Sequence, residues 1–251
     1  MFFFFEDRLS PIKEKRTKST EISCFEAGSD FFYHLRRNAM INTILWDFNG
    51  TVMDDMGASA GAVNAMLRKR NLPLISEEWY TLNLIMPLEA FYASVGFDME
   101  KERIEVVSEE FQQECKNFPR PVFPEVLAAL EQFQKAGYRQ LLFSSLHHDL
   151  LIAQAKERGI ADYFEGIVGR QDRSLGGKEA AVSKYLEEHG IAPQEVLVVG
   201  DLTTDAAMAR YVGSPCALIC KGHQHREILE KTDAYVLNNA AEIAALLEEL
   251  K

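Results

Sequence analysis

The sequence predicts an α/β protein: a three-layer, doubly wound parallel sheet carrying an inserted helical segment. Three observations carry this prediction. Short continuous apolar runs, Ile44–Asp47, Gln140–Phe143 and Val196–Val199, read as strands buried on both faces, and each stops at polar residues. Segments with helical spacing alternate with later runs, which implies parallel strands joined by covering helices. Between the first and second runs only helical patterns occur, and Pro119, Pro121 and Pro124 punctuate the return.

Taken in order, residues 1–39 differ from the rest. Met1–Phe5 is apolar, but Glu6 and Asp7 follow at once, and residues 13–18 are basic and polar. A secretory signal needs a basic start and a longer apolar stretch. The segment is therefore expected to be a poorly ordered N-terminal extension or an artefact of start-site choice, with a short surface-touching arm as the alternative. The core is expected over residues 40–54 and 122–251, with a helical insert over 55–121. In the insert, Ala62, Val63, Met66 and Leu67 recur at helical spacing. Ser76 followed by Glu77 and Glu78 reads as an N-cap with an acidic first turn. Leu88–Val95 is a short helix closed by Gly96, and residues 101–116 a longer one with Ile104, Val107 and Phe111 on one stripe.

The core resumes with a helix whose inward residues are Val126, Leu127, Leu130 and Phe133, ended at Gly137. The strand Gln140–Phe143 is expected to stop at Ser144-Ser145. Helices over 150–158, 178–189 and 204–211, strands at Ile167-Val168, Val196–Val199, Ala217–Ile219 and Ala234–Val236, and a last helix striped by Ile243, Leu246, Leu247 and Leu250 complete the pattern.

The chain has 251 residues and is 47% hydrophobic, enough for one large domain or a domain plus an insert. Its net charge of −11 is uneven. Residues 1–42 carry 7 Lys/Arg and 6 Asp/Glu, so the remaining 20 basic and 32 acidic residues make the body acidic. That argues against nucleic-acid and anionic-membrane partners, which need basic patches. It leaves room for a phosphate substrate, because a bound divalent cation reverses the local field. No apolar run approaches the ~18 residues of a transmembrane helix. Cys24, Cys115, Cys216 and Cys220 match neither a disulfide framework nor a zinc spacing, and read as reduced thiols in a cytoplasmic protein.

Four strand or helix ends carry polar residues with chemical meaning. Asp47 closes a buried strand, where open α/β sheets bind ligands; it either caps the Gly50-Thr51 turn or needs a cation. Asp201 and Asp205 lie four apart across a turn entering a helix, a spacing that suits a magnesium site and also an acidic helix start. Ser144 and Ser145 end the second strand, and His147 beyond them reads as a solvent-facing helix entry, with proton transfer as its alternative. Gly176-Gly177-Lys178 puts a cation at a helix start, against the dipole, so the lysine needs another partner.

In that order these segments resemble the four motifs of the haloacid dehalogenase-like superfamily. Ile44–Thr51, with Asp47-Phe48-Asn49-Gly50-Thr51, is similar to its Asp-x-Asp-Gly-Thr; Leu141–Ser144 to the second motif; Gly176–Lys178 to the third; and Gly200–Asp205 to Gly-Asp-x-x-x-Asp. The resemblance covers about residues 40–251 and is strongest to phosphoglycolate phosphatase-like members. It implies a magnesium-dependent phosphatase acting on a small phosphorylated metabolite. Asp47 would attack phosphorus, while Ser144, Ser145 and Lys178 would hold the phosphoryl group. Asp47, the main chain of Asn49, Asp201 and Asp205 would hold Mg2+. Residues 55–121 would form a helical cap, with Asp54 near its hinge.

The family places a second Asp, its general acid and base, where this chain has Asn49. An amide cannot donate and recover a proton, and losing such a group costs about 10²–10⁴ in rate. The residues then fit a slow or selective phosphatase, or a phosphate-metabolite binding or regulatory protein with little turnover. A phosphonate hydrolase is disfavoured because Ile85–Glu89 holds no lysine for a Schiff base, and a metal-free dehalogenase by Asp201 and Asp205.

Overall fold

A computed structural model describes residues 40–170 and 178–251. The extension expected over 1–39 and the Gly176-Gly177 pair lie outside the described residues. Six strands form one sheet: β1 (Thr43–Asp47), β2 (Arg139–His147), β3 (Gly166–Arg170), β4 (Val196–Gly200), β5 (Cys216–Ile219) and β6 (Tyr235–Leu237). They run in the order β3-β2-β1-β4-β5-β6, and every neighbouring pair is parallel.

The apolar runs are continuous because both faces of the sheet are covered. Ile44 and Trp46 of β1, Leu142 of β2 and Leu197 and Val199 of β4 pack with Val126, Leu130 and Leu151 on one side. Leu45, Leu141, Val196 and Val198 point the other way, against Val182, Leu186 and Met208. Successive strand side chains alternate faces, so each run feeds two cores. The result is the expected three layers.

Three local expectations are corrected. The second strand does not stop at Ser144-Ser145; it continues to His147 through a register shift after Phe143, and His147 pairs with Arg170. A bulge of this kind lets a strand bend at its end and still regain pairing. Pro124 is not linker but the first residue of the helix Pro124–Lys135, where its missing N–H costs nothing and its fixed φ suits the turn. Within that helix Leu127 is exposed, because the buried stripe is Val126, Ala129, Leu130 and Phe133.

Between β1 and the helix Pro124–Lys135 lie four helices, α1 (Met56–Lys69), α2 (Glu77–Asn83), α3 (Leu88–Ser94) and α4 (Ile104–Cys115). They bury a cluster of their own, including Val63, Met66, Tyr80, Phe91 and Val107. The strands that lead out and back are stitched together: Met53 pairs with Val122, the Asp54 amide donates to the Pro121 carbonyl at 2.8 Å, and the Phe123 amide to the Val52 carbonyl at 3.1 Å.

One buried polar link ties β1 to β2. The Trp46 indole donates to Gln140 Oε1 at 3.1 Å, and Gln140 Nε2 donates to the Leu130 carbonyl at 2.9 Å. Gln140→Met keeps the volume but orphans an N–H and a C=O. The expected cost is about 1–3 kcal/mol for each orphaned group, read as a lower urea midpoint at unchanged slope. A midpoint equal to wild type overturns this account.

Candidate active site

Asp47 ends β1 and Asp201 follows β4 directly; these strands are neighbours, with Trp46 beside Val199. The strand order reverses at this pair, and such a switch point opens a crevice beyond the carboxyl ends. Ser144 follows Phe143, the residue paired with Asp47, so it flanks the same crevice from β2. The sequence order of the polar ends is thereby converted into spatial adjacency.

The turn after β1 is shaped by Gly50 at φ +76°, and an added Cβ there would meet Asp201 Oδ2 and the His223 ring. Thr51 donates to Asp201 Oδ1 at 3.0 Å, and the His223 amide donates to Asp201 Oδ2 at 2.6 Å. Asp205 sits in the first turn of the helix Thr203–Val212. Its Oδ2 accepts from the amides of Asp201 at 3.1 Å and Leu202 at 2.9 Å, which satisfies helix N-terminal donors. Its Oδ1 accepts from Lys178 Nζ at 2.5 Å, and Lys178 reaches Asp47 Oδ1 at 3.4 Å. Lys178 opens its helix as expected, and Asp205 and Asp47 are the partners that hold it there against the dipole.

Asp47, Asp201 and Asp205 are buried and offer oxygens within 4.8 Å of one another. Burial, and then the repulsion of Asp205 and Asp201, push the Asp47 carboxyl well above the usual range against the pull of Lys178. Burial foremost and Asp205 raise Asp201 to about 7, despite the opposing pull of His223. Burial alone would lower the Lys178 ammonium, but Asp205 and Asp47 outweigh it and hold it above its ordinary value. A dry set of hard carboxylate oxygens with more negative than positive charge fits a divalent cation such as magnesium.

Of the three carboxylates, Asp47 opens into a cavity of about 450 Å³ that the insert also lines. Asp47, Asn49, Ser144, Ser145 and Lys178 line it. Val63, Leu84, Leu88, Phe91 and Phe111 form apolar walls supplied by the insert. Lys178 is the one lysine in the lining among the described residues, so no insert lysine faces the site. His147 is exposed at the end of β2 and does not line the cavity.

Sequence reasoning missed a second polar cluster at the root of the insert. Asp54 is exposed and off the cavity; its neighbour Asp55 is the buried one. Asp55 Oδ2 accepts from the Asn49 side-chain amide at 2.5 Å, and Oδ1 accepts from the Gly50 amide at 2.8 Å and lies 3.1 Å from His223 Nε2. His223 Nδ1 faces the Tyr80 hydroxyl of the insert at 3.1 Å. Burial pulls the Asp55 carboxyl up, but His223 and Asn49 hold it below the usual range. Burial would lower His223, yet Asp55 and Asp201 raise it to about 9. His223 lies in a loop after β5 with no periodicity around it, so nothing local marked it.

The profile described as haloacid dehalogenase-like hydrolase matches residues 44–219. A phosphoglycolate phosphatase of Vibrio vulnificus (strain CMCP6) is 24% identical over 217 residues, 81% of this chain and 94% of that protein. A phosphoglycolate phosphatase of Aquifex aeolicus is 26% identical over 191 residues, 73% of this chain and 86% of that one. Among solved structures, a haloacid dehalogenase-like hydrolase from Streptococcus pneumoniae shares the fold with a TM-score of 0.70 at 20% identity, covering 82% of this chain and 98% of the other. A hydrolase from Pseudomonas syringae does so with a TM-score of 0.64 at 21% identity, covering 83% and 99%.

Gly50 is where backbone and site constrain each other most tightly. Gly50→Ala combines a left-handed φ with a Cβ driven into Asp201, so it should lower stability by more than ~1 kcal/mol in denaturant. Wild-type stability in that variant would show that the turn is not held against Asp201.

Proposed function

The chain belongs to the haloacid dehalogenase-like hydrolase family and is a phosphatase of it, and from that premise we propose that it hydrolyses a small phosphomonoester, with magnesium bound, through an aspartyl-phosphate on Asp47. The observation that carries this reading is the convergence of Asp47, Asp201 and Asp205 within 4.8 Å around Lys178. Residues 55–121 act as a cap whose walls hold the leaving group.

In this proposal Asp47, the Asn49 carbonyl and Asp201 would hold the metal, with Asp205 completing the acidic set while clamping Lys178. Bound magnesium neutralises the phosphate that the carboxylates would otherwise repel. Lys178 and Ser144, with Ser145 beside it, receive the phosphoryl oxygens. An Asp47 oxygen attacks phosphorus as the bond to the leaving oxygen breaks, and that oxygen takes up a proton. Water then attacks phosphorus, the bond to Asp47 breaks, and phosphate leaves with the carboxylate restored. Asn49 supplies no proton in either step, and its amide is committed to Asp55. Leaving groups that need little protonation are therefore favoured.

A phosphate-release screen against many phosphomonoesters, with and without magnesium, tests the function. Asp47→Asn should abolish release. Asn49→Asp should raise turnover of alkyl phosphates by about 10² or more, and that of activated aryl phosphates less. Unchanged rates in Asn49→Asp beside an active wild type would assign the proton to another residue. Absence of Asp47-dependent release from every ester in both backgrounds would favour a phosphate-metabolite binding or regulatory protein.

Magnesium should raise the melting temperature by binding the folded state, and Asp201→Ala should remove that shift. With its carboxyl at about 7 in the metal-free protein, Asp201 must lose a proton to bind metal below that pH. Apparent magnesium affinity should thus weaken as pH falls from ~8 to ~6, by up to about tenfold per unit for each proton displaced. A pH-independent affinity, or a shift kept in Asp201→Ala, would move the metal elsewhere.

A further inference from the structure

The cavity lining holds a second cation, Arg120, that the phosphatase reading does not use. Arg120 lines the cavity half-buried, and no ion pair or hydrogen bond engages its guanidinium among the described residues. Elsewhere partly buried arginines are matched; Arg70, for one, is held by Glu102 and Glu110. An unmatched guanidinium in a largely apolar cavity carries a desolvation cost that an oxyanion would offset.

Its setting is rigid. Arg120 lies between Pro119 and Pro121, which confine the local backbone, and the Pro121 carbonyl is pinned by the Asp54 amide at 2.8 Å. A side chain presented from a fixed backbone loses less entropy when it captures a ligand. Across from it on the helix His148–Glu157, Gln154 also lines the cavity, and its Oε1 is buried without a partner. A side-chain amide can present either donor or acceptor by turning over. Behind Gln154 stands Arg158, whose Nε is likewise buried without a partner. Burial first, and then the nearby charge of Arg120, lower the Arg158 guanidinium against the pull of Glu157 and Asp55.

The same cavity has apolar walls, Val63, Phe91 and Phe111 among them. The volume, about 450 Å³, falls in the range of cavities that enclose whole metabolites, beyond the needs of a two-carbon leaving group.

We propose that Arg120, assisted by Gln154, determines specificity by binding a second oxyanion on the leaving group, and that the substrate is a phosphomonoester with an apolar body between its scissile phosphate and that oxyanion. The inference rests on the phosphatase reading for the identity of the first anion. A carboxylate and a second phosphate satisfy the same chemistry, and the test separates them.

Three series of matched chain length, ω-carboxyalkyl phosphates, uncharged alkyl phosphates and α,ω-bisphosphates, are assayed for kcat/KM with magnesium. Their binding to the non-hydrolysing Asp47→Asn protein is measured by calorimetry. The expected result is a preference for one anionic series of at least tenfold over uncharged esters, at a chain longer than two carbons. Arg120→Gln should collapse that ratio and Arg120→Lys should restore part of it, mainly through KM. Equal values for charged and uncharged esters at every length, an optimum at two carbons, or a preference kept in Arg120→Gln would overturn the proposal. Should wild type hydrolyse none of the esters while Asp47→Asn protein still binds the anionic series through Arg120, the phosphatase reading fails and the second-anion site stands.

Discussion

Three buried carboxylates beside a single ammonium are the constraint on which the architecture around the cavity depends. Asp47, Asp201 and Asp205 come from two adjacent strand ends and a helix start, and Lys178 is the one side chain in ion-pair contact with them among the described residues. Like charges at this range do not sit together in a low-dielectric interior without compensation. The compensation is backbone: amides of residues 201, 202 and 223, and the Thr51 hydroxyl, all aim at these carboxylates. Every one of those donors sits in a turn after a strand, so the β1 and β4 loops are shaped by the charges they hold.

The insert is joined to this centre through a second polar unit. Asp55 collects the Asn49 amide, the Gly50 N–H and the His223 ring, and His223 meets Tyr80 of the insert. Two further bonds run from the same loop to the insert: the His225 amide to the Thr81 carbonyl at 3.0 Å, and Gln224 Nε2 to the Leu84 carbonyl at 2.9 Å. Leu202, from the β4 loop, packs into the insert's own apolar cluster. Asn49 thus belongs to the polar unit that joins the insert to this centre, and its amide donates to a carboxylate that an Asp at this position would repel.

Much of this was legible in the sequence. The three central strands showed as apolar runs because both their faces are buried, and the helices showed through their stripes. Asp47, Lys178, Asp201 and Asp205 stood out because each lies at or beside the end of an element, where a polar residue interrupts an obvious pattern, whereas Ser144 lies inside β2. Asp55 was missed in favour of Asp54 because two adjacent carboxylates outside any periodic segment have no local mark of direction. The continuation of β2 past Ser145 was missed because a bulge is decided by the neighbouring strand.

By itself the sequence determined the layers, the order of the elements and which carboxylates stand at their ends, since these follow from near-neighbour periodicity and from the cost of burying backbone without hydrogen bonds. Tertiary structure alone decided that Asp55, His223 and Tyr80 meet, and that Arg120 and Gln154 face one cavity with Lys178. Asp55 and His223 are 168 residues apart in the chain. Loop side chains at such separation converge only when the strands and helices that carry them have packed, and no spacing along the chain encodes that distance.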